Sequence, residues 1–130
     1  MCQLFVGADP ALWEPVTHSM RLHKGCTSIR IERFFWGVLE TIAARDGLSL
    51  NELLTRLYDE LLEAERDELN FASFLRVCCG RYLELSLSGD IPASGTIRAL
   101  DAGAILRREE LRGYGFTARP RLAAQPAGQG

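Results

Sequence analysis

The stretch CTSIRIERFF, Cys26 to Phe35, decides how this chain is read. Thr27, Ile29 and Ile31 alternate with Cys26, Ser28 and Arg30, and a period of two puts each set on one face of a strand. Phe35, Leu39 and Ile42 follow at helical spacing with Ala43 alongside, while Arg33, Glu40 and Arg45 take the other side. A helix is therefore expected from residue 33, with no loop after the strand. A lone strand leaves its amides and carbonyls without a ladder, which is unfavourable in water. Two partners are open. Ser19–His23, where Met20 and Leu22 alternate with Ser19, Arg21 and His23, can fold back through Lys24-Gly25 as a hairpin. Alternatively, the strand pairs with its copy in a second molecule, making the antiparallel ribbon of a symmetric dimer. Lys-Gly is a weaker hairpin signal than Asn-Gly or Asp-Gly, and on the residues alone both partners stay open.

Downstream, Gly47 suits the C′ position of the first helix. Gly37 inside that helix costs about 1 kcal/mol relative to Ala, which suggests a close neighbour there. Ser49-Leu50-Asn51-Glu52 is a capping-box pattern opening a second helix. Its stripe is Leu50, Leu53, Leu54, Leu57 and Leu61, and it is expected to end near Glu65. A third helix is expected from Asn70 to the Ser86–Gly89 region, with Phe71, Phe74, Leu75, Cys78, Tyr82 and Leu85 on one face. Cys78 reads as core and Cys79 as its border.

Residues 1–17 show no sustained period and are broken by Pro10 and Pro15, so they read as an ordered arm. The expected domain is 18–86. Residues 87–130 are rich in Gly, Ala, Pro and Arg and read as a flexible tail, with a short helix over Asp101–Leu111 and a disordered last dozen.

The 130 residues suit one domain, and 47% hydrophobic with 25% charged content is ordinary for a globular chain. No apolar run approaches the ~18 residues of a membrane span. The start, MCQLFVGADP, lacks the basic and apolar regions of a signal peptide, so a cytoplasmic protein of bacterial type is expected, with no membrane partner. Cys2, Cys26, Cys78 and Cys79 match no disulfide framework. The net charge of −2 hides an asymmetry. Residues 17–35 carry four cations against Glu32, and residues 51–69 carry seven anions against Arg56 and Arg66.

Strand, Gly-terminated helix and Ser-capped helix, "TSIRIERFFWGVLETIAARDGLSLNELL", together resemble the ribbon-helix-helix DNA-binding proteins, the superfamily of the Arc and methionine repressors. The opening Thr27 to Trp36 and the later "NFASFLRV", residues 70–77, resemble one subgroup in particular. The likeness covers roughly residues 17 to 85. It implies a mainly α fold: a ribbon-helix-helix whose one N-terminal strand pairs between subunits of a homodimer, plus a third helix. Which of helices two and three takes the usual second-helix place is left open. The likeness also implies a transcriptional regulator whose ribbon enters the major groove of double-stranded DNA. The positions implied to face the bases are Cys26, Ser28 and Arg30. Those implied to hold phosphates are Arg21, Lys24, Arg33 and the Ser49-Leu50-Asn51 turn. Dimers would bind repeated half-sites, with dimers of dimers as a further option.

Other chemistry finds little support. His23-x-x-Cys26 with His18 and Cys2 supplies four N/S groups, but no common zinc spacing, so no metal or cofactor is expected. Cys2 would be an N-terminal nucleophile once Met1 is removed, but the folds that use one need many more strands. No Ser/His/Asp set or phosphate loop is present, and an enzyme is not expected. The alternative function is a protein-interaction module, an antitoxin-like or adaptor protein whose acidic segment and C-terminal tail bind a protein partner.

Overall fold

The computed structural model describes residues 1–22, 25–66 and 70–113. A short helix α1 (Cys2–Val6) and a 3-10 turn (Pro10–Trp13) lead into strands β1 (Pro15–Leu22) and β2 (Gly25–Glu32). Helices α2 (Arg33–Arg45), α3 (Leu50–Glu63), α4 (Phe71–Ser88) and α5 (Ala102–Arg112) follow. A two-stranded ribbon followed by helices is the fold class expected.

The partner of β2 differs from the expectation. β2 takes its ladder from β1 of its own chain, antiparallel, with Thr17 opposite Arg30, Ser19 opposite Ser28 and Arg21 opposite Cys26. The hairpin alternative is the one realised, and pairing of a single strand between subunits is corrected. Leu22 pairs with Gly25, so Gly25 belongs to the strand and not to the expected Lys24-Gly25 turn; His23 and Lys24 lie outside the described residues. Gly25 has φ 121°, a backbone that side chains rarely tolerate, which is why the strand restarts on glycine.

The ribbon's inner face carries Met20, Ile29 and Ile31, all buried, with Val16 and Leu22 packed beside them. It lies on Trp36 and Leu39 of α2, Leu54 and Tyr58 of α3, and Phe71, Leu75 and Cys79 of α4. Three contacts fix the ribbon's angle to α2. The Trp36 indole donates to the Val16 carbonyl at 2.9 Å, the Arg33 amide donates to the Glu14 carbonyl at 2.9 Å, and the His18 ring lies 4.3 Å from that of Trp36. Helices α3 and α4 both pack on α2, and α4 also packs on β2.

Helix ends follow the expected chemistry. Gly47 sits at φ 68°, with its amide on Ala44 and that of Leu48 on Ala43, the pattern that satisfies the last carbonyls of α2. Gly37 has no atom within 4 Å of where a Cβ would sit, so the close neighbour expected there is absent. On α4 the buried stripe is Phe71, Leu75, Cys79 and Leu85. Cys79 is fully buried and Cys78 only partly, the reverse of the expected roles. The Cys79 thiol donates to the Phe35 carbonyl at 3.5 Å, and burial pushes its pKa up to about 12.

Beyond Gly89, the described part of the expected flexible tail is packed. Ile91 and Ile105 form a second small core with Leu85, beside Tyr82 and Leu100. Asp46, the C-cap of α2, accepts the Ile97 amide at 2.6 Å and the Arg98 amide at 3.1 Å. Arg45 donates to the Gly95 carbonyl at 3.1 and 3.0 Å. Glu109, 1% exposed, is held by Arg81 of α4. The expected short helix forms as α5. The disordered end expected over the last dozen residues lies outside the described residues.

Candidate nucleic-acid interface

The period of two that buries Met20, Ile29 and Ile31 turns the intervening side chains outward. On β1 these are Thr17, Ser19 and Arg21, and on β2 Cys26, Ser28 and Arg30, all exposed. They make three rungs: Thr17 with Arg30, Ser19 with Ser28, and Arg21 with Cys26. The two serine hydroxyls of the middle rung lie 3.4 Å apart. Among the described residues, neither Arg21 nor Arg30 forms an ion pair or a side-chain hydrogen bond. Glu32, next along β2, is taken up by α4. Arg76 donates to it through Nε at 2.8 Å and through a second nitrogen at 3.4 Å. Those bonds hold the Glu32 carboxyl below the usual carboxylate range. Among the described residues, the ribbon face thus presents two unpaired cations and a row of hydroxyls, and the acid beside them is neutralised from below.

The expected base-facing residues Cys26, Ser28 and Arg30 are therefore together on one exposed face. Arg21 joins them there. Lys24 lies outside the described residues. Arg33, at the start of α2, is exposed and sits 3.9 Å from Glu14. Ser49 caps α3: its hydroxyl accepts the Glu52 amide at 3.1 Å, and Glu52 accepts the Ser49 amide at 3.0 Å. That second bond comes first among the causes holding Glu52 below its ordinary range. The helix start already holds one carboxylate of its own, and the Leu50 and Asn51 amides are left without an acceptor among the described residues.

Thr17 and Ser19 escape a reading that gives the ribbon only one strand. A signal for Ser19 is present in the sequence. Ser19-Met20-Arg21-Leu22 and Ser28-Ile29-Arg30-Ile31 are a short repeat of serine, apolar, arginine, apolar. The register pairs Ser19 with Ser28, so the repeat is arranged about the middle rung.

The family model described as ribbon-helix-helix domain matches residues 15–83, from the first residue of β1 into α4. The chain belongs to the ribbon-helix-helix domain family. A solved structure of an uncharacterized protein from Bordetella pertussis Tohama I is similar to this ribbon-helix-helix chain throughout. The two share 44% sequence identity and a TM-score of 0.78 over 97% of this chain and 96% of that one. No curated protein matches the chain. Among the described residues, no helix is long and apolar enough to cross a membrane.

Proposed function

We propose that this protein is a sequence-specific DNA-binding transcriptional regulator, non-enzymatic, acting in the cytoplasm of a bacterium. The observation that carries the reading is the ribbon's outward face: Arg21 and Arg30, without acidic partners among the described residues, flanked by the hydroxyls of Thr17, Ser19 and Ser28. Two strands lie about 4.8 Å apart, so a two-stranded ribbon with its side chains fits a major groove about 12 Å wide. Arg30 has the planar fork that bonds guanine O6 and N7 together, Ser28 donates or accepts, and Cys26 lies beside them. Arg33 and Lys24, with the Leu50 and Asn51 amides at the start of α3, would hold phosphates and set the register. The ribbon and helices α2 to α4, residues 15–88, are taken as the DNA-binding unit, three residues longer at its start than the expected 18–86, with 1–14 as an arm and the residues after α4 as an addition.

The homodimer takes a different role once the hairpin supplies its own ladder. A second copy would place a second ribbon on a repeated half-site. Leu4, Phe5 and Val6, exposed along α1, are available to hold the copies together.

Fluorescence anisotropy on random-sequence duplex tests the reading. Binding at low salt is expected to weaken with log[salt] at a slope near −0.9 per phosphate held, about −3 for three contacts. Arg30→Ala is expected to cost about 1–3 kcal/mol on a selected site. Arg33→Ala should weaken all duplexes alike and flatten the slope by about one. Absence of duplex binding at low salt would remove the proposal. Binding instead to a protein partner, lost on deleting residues 87–130, would support the interaction-module alternative.

A further inference from the structure

We infer that a single chain carries both halves of the reading ribbon, and that Arg21 and Arg30 are equivalent readers of two guanines on opposite DNA strands. The inference rests on the DNA-binding reading above and deepens it. A symmetric ribbon made by two copies of β2 would present Arg30 twice and would leave Arg21 out. The hairpin instead pairs β2 with β1, which brings Arg21 onto the same outward face as Arg30. A local two-fold axis through the Ser19–Ser28 rung maps Ser19 on Ser28, Arg21 on Arg30, and Thr17 on Cys26. The inward positions obey the same relation, Met20 with Ile29 and Leu22 with Ile31, so the repeat covers both faces of the ribbon. Three matches differ in chemistry: Thr17 with Cys26 on the outward face, and His18 with Thr27 and Val16 with Gly25 on the inward one.

The geometry sets the spacing. Arg30 stands on the rung with Thr17, and Arg21 on the rung with Cys26, four residues apart along the strand. At about 3.3 Å per residue that is about 13 Å. At about 3.4 Å per base-pair step, the two arginines span about four steps. Antiparallel strands point the two guanidinium groups outward in opposite senses along the groove. Each then meets the opposite DNA strand, and the site should be a near-palindrome of about five base pairs with a guanine at each end. The Thr17 and Cys26 ends would break the symmetry, because a threonine hydroxyl donates and accepts more strongly than a thiol.

Selection from a random duplex pool with wild type, Arg21→Ala and Arg30→Ala tests this, alongside native mass spectrometry of the chain-to-duplex ratio on the selected core. Both arginines are exposed, and unchanged circular dichroism melts of the variants would show that the fold is kept. The expected result is one chain per core, with each variant losing guanine preference about tenfold to a hundredfold at its own end only. If Arg30→Ala relaxes both ends and Arg21→Ala neither, the ribbon is shared between two copies and the inference falls, while DNA binding stands. Uniform weakening by both variants with base preference unchanged also overturns it, because both arginines would then hold phosphates. No enrichment and no binding by wild type would instead remove the DNA-binding reading itself.

Discussion

Arg81→Ala should destabilise the C-terminal part of the fold far more than a surface ion pair would suggest. The reason is the uneven burial of the pair. The Glu109 side chain is 1% exposed, whereas that of Arg81 is 37% exposed. Arg81 donates to both Glu109 oxygens, through Nε at 3.1 Å and a terminal nitrogen at 2.5 Å. Removing the arginine strands a carboxylate in the interface between α4 and α5, a defect that costs about 3–5 kcal/mol. Removing the charge on the other side is milder. Glu109→Gln leaves an arginine that water can reach and an amide that still accepts one bond, so about 1–2 kcal/mol is expected. The double substitution should then be more stable than Arg81→Ala alone, since a buried neutral amide is tolerated better than a buried unpaired charge. Urea unfolding followed by circular dichroism measures the four corners of the cycle. Hydrogen exchange shows where the loss falls: amides of Ala102–Arg112 should lose protection while those of α2 and α3 keep theirs. The reasoning is refuted if Arg81→Ala costs under about 1 kcal/mol, the range of exposed pairs, or if adding Glu109→Gln deepens the damage.

Three further outcomes follow from single positions. Gly80 lies mid-helix in α4 with nothing within 4 Å of a built Cβ, so Gly80→Ala should stabilise by about 0.5–1 kcal/mol in urea titrations. Glu65 follows α3 at φ 55°, a left-handed backbone that a side chain resists, and Glu65→Gly should gain about 1 kcal/mol in the same assay. Glu32 is held below the ordinary glutamate range chiefly by the Arg76 hydrogen bond, and Asp90 below the ordinary aspartate range chiefly by Ser88 and then Arg108. A depressed carboxylate adds stability that is complete above its unfolded pKa and is lost as pH falls through the folded one. Melting temperature should therefore be flat from neutrality to about pH 5 and fall below it, and Arg76→Ala should make that acid loss shallower.

The sequence showed more of the elements than of their partners. Period two in residues 18–31, the Gly47 stop and the Ser49–Glu52 box are local signals, and each reappears as the expected strand, C-terminal turn or cap. The choice between hairpin and shared ribbon is not local, because Ile29 and Ile31 need only a ladder, whichever chain supplies it. The strand restarting at Gly25 goes with the hairpin, and the Ser-x-Arg repeat is its trace in the sequence. Cys78 and Cys79 exchanged roles because neighbours on a helix are about 100° apart, so a stripe with a slight drift moves from one to the other. The segment after Gly89 looked loose from its glycines, alanines and prolines. Its anchors are Arg45, Asp46 and Arg81, which lie far away in the chain, and composition does not show such contacts. Of the proposed interface, Cys26, Ser28 and Arg30 were legible because alternation along one strand defines them. Thr17 and Ser19 needed the register.

Nuclear magnetic resonance titration of the labelled protein with a selected duplex bears most directly on the ribbon as the DNA-facing surface. The expected result is that the largest shifts fall on Thr17, Ser19, Arg21, Cys26, Ser28 and Arg30, with α5 unmoved. Shifts concentrated on α1 or α5, with those six positions silent, would contradict it.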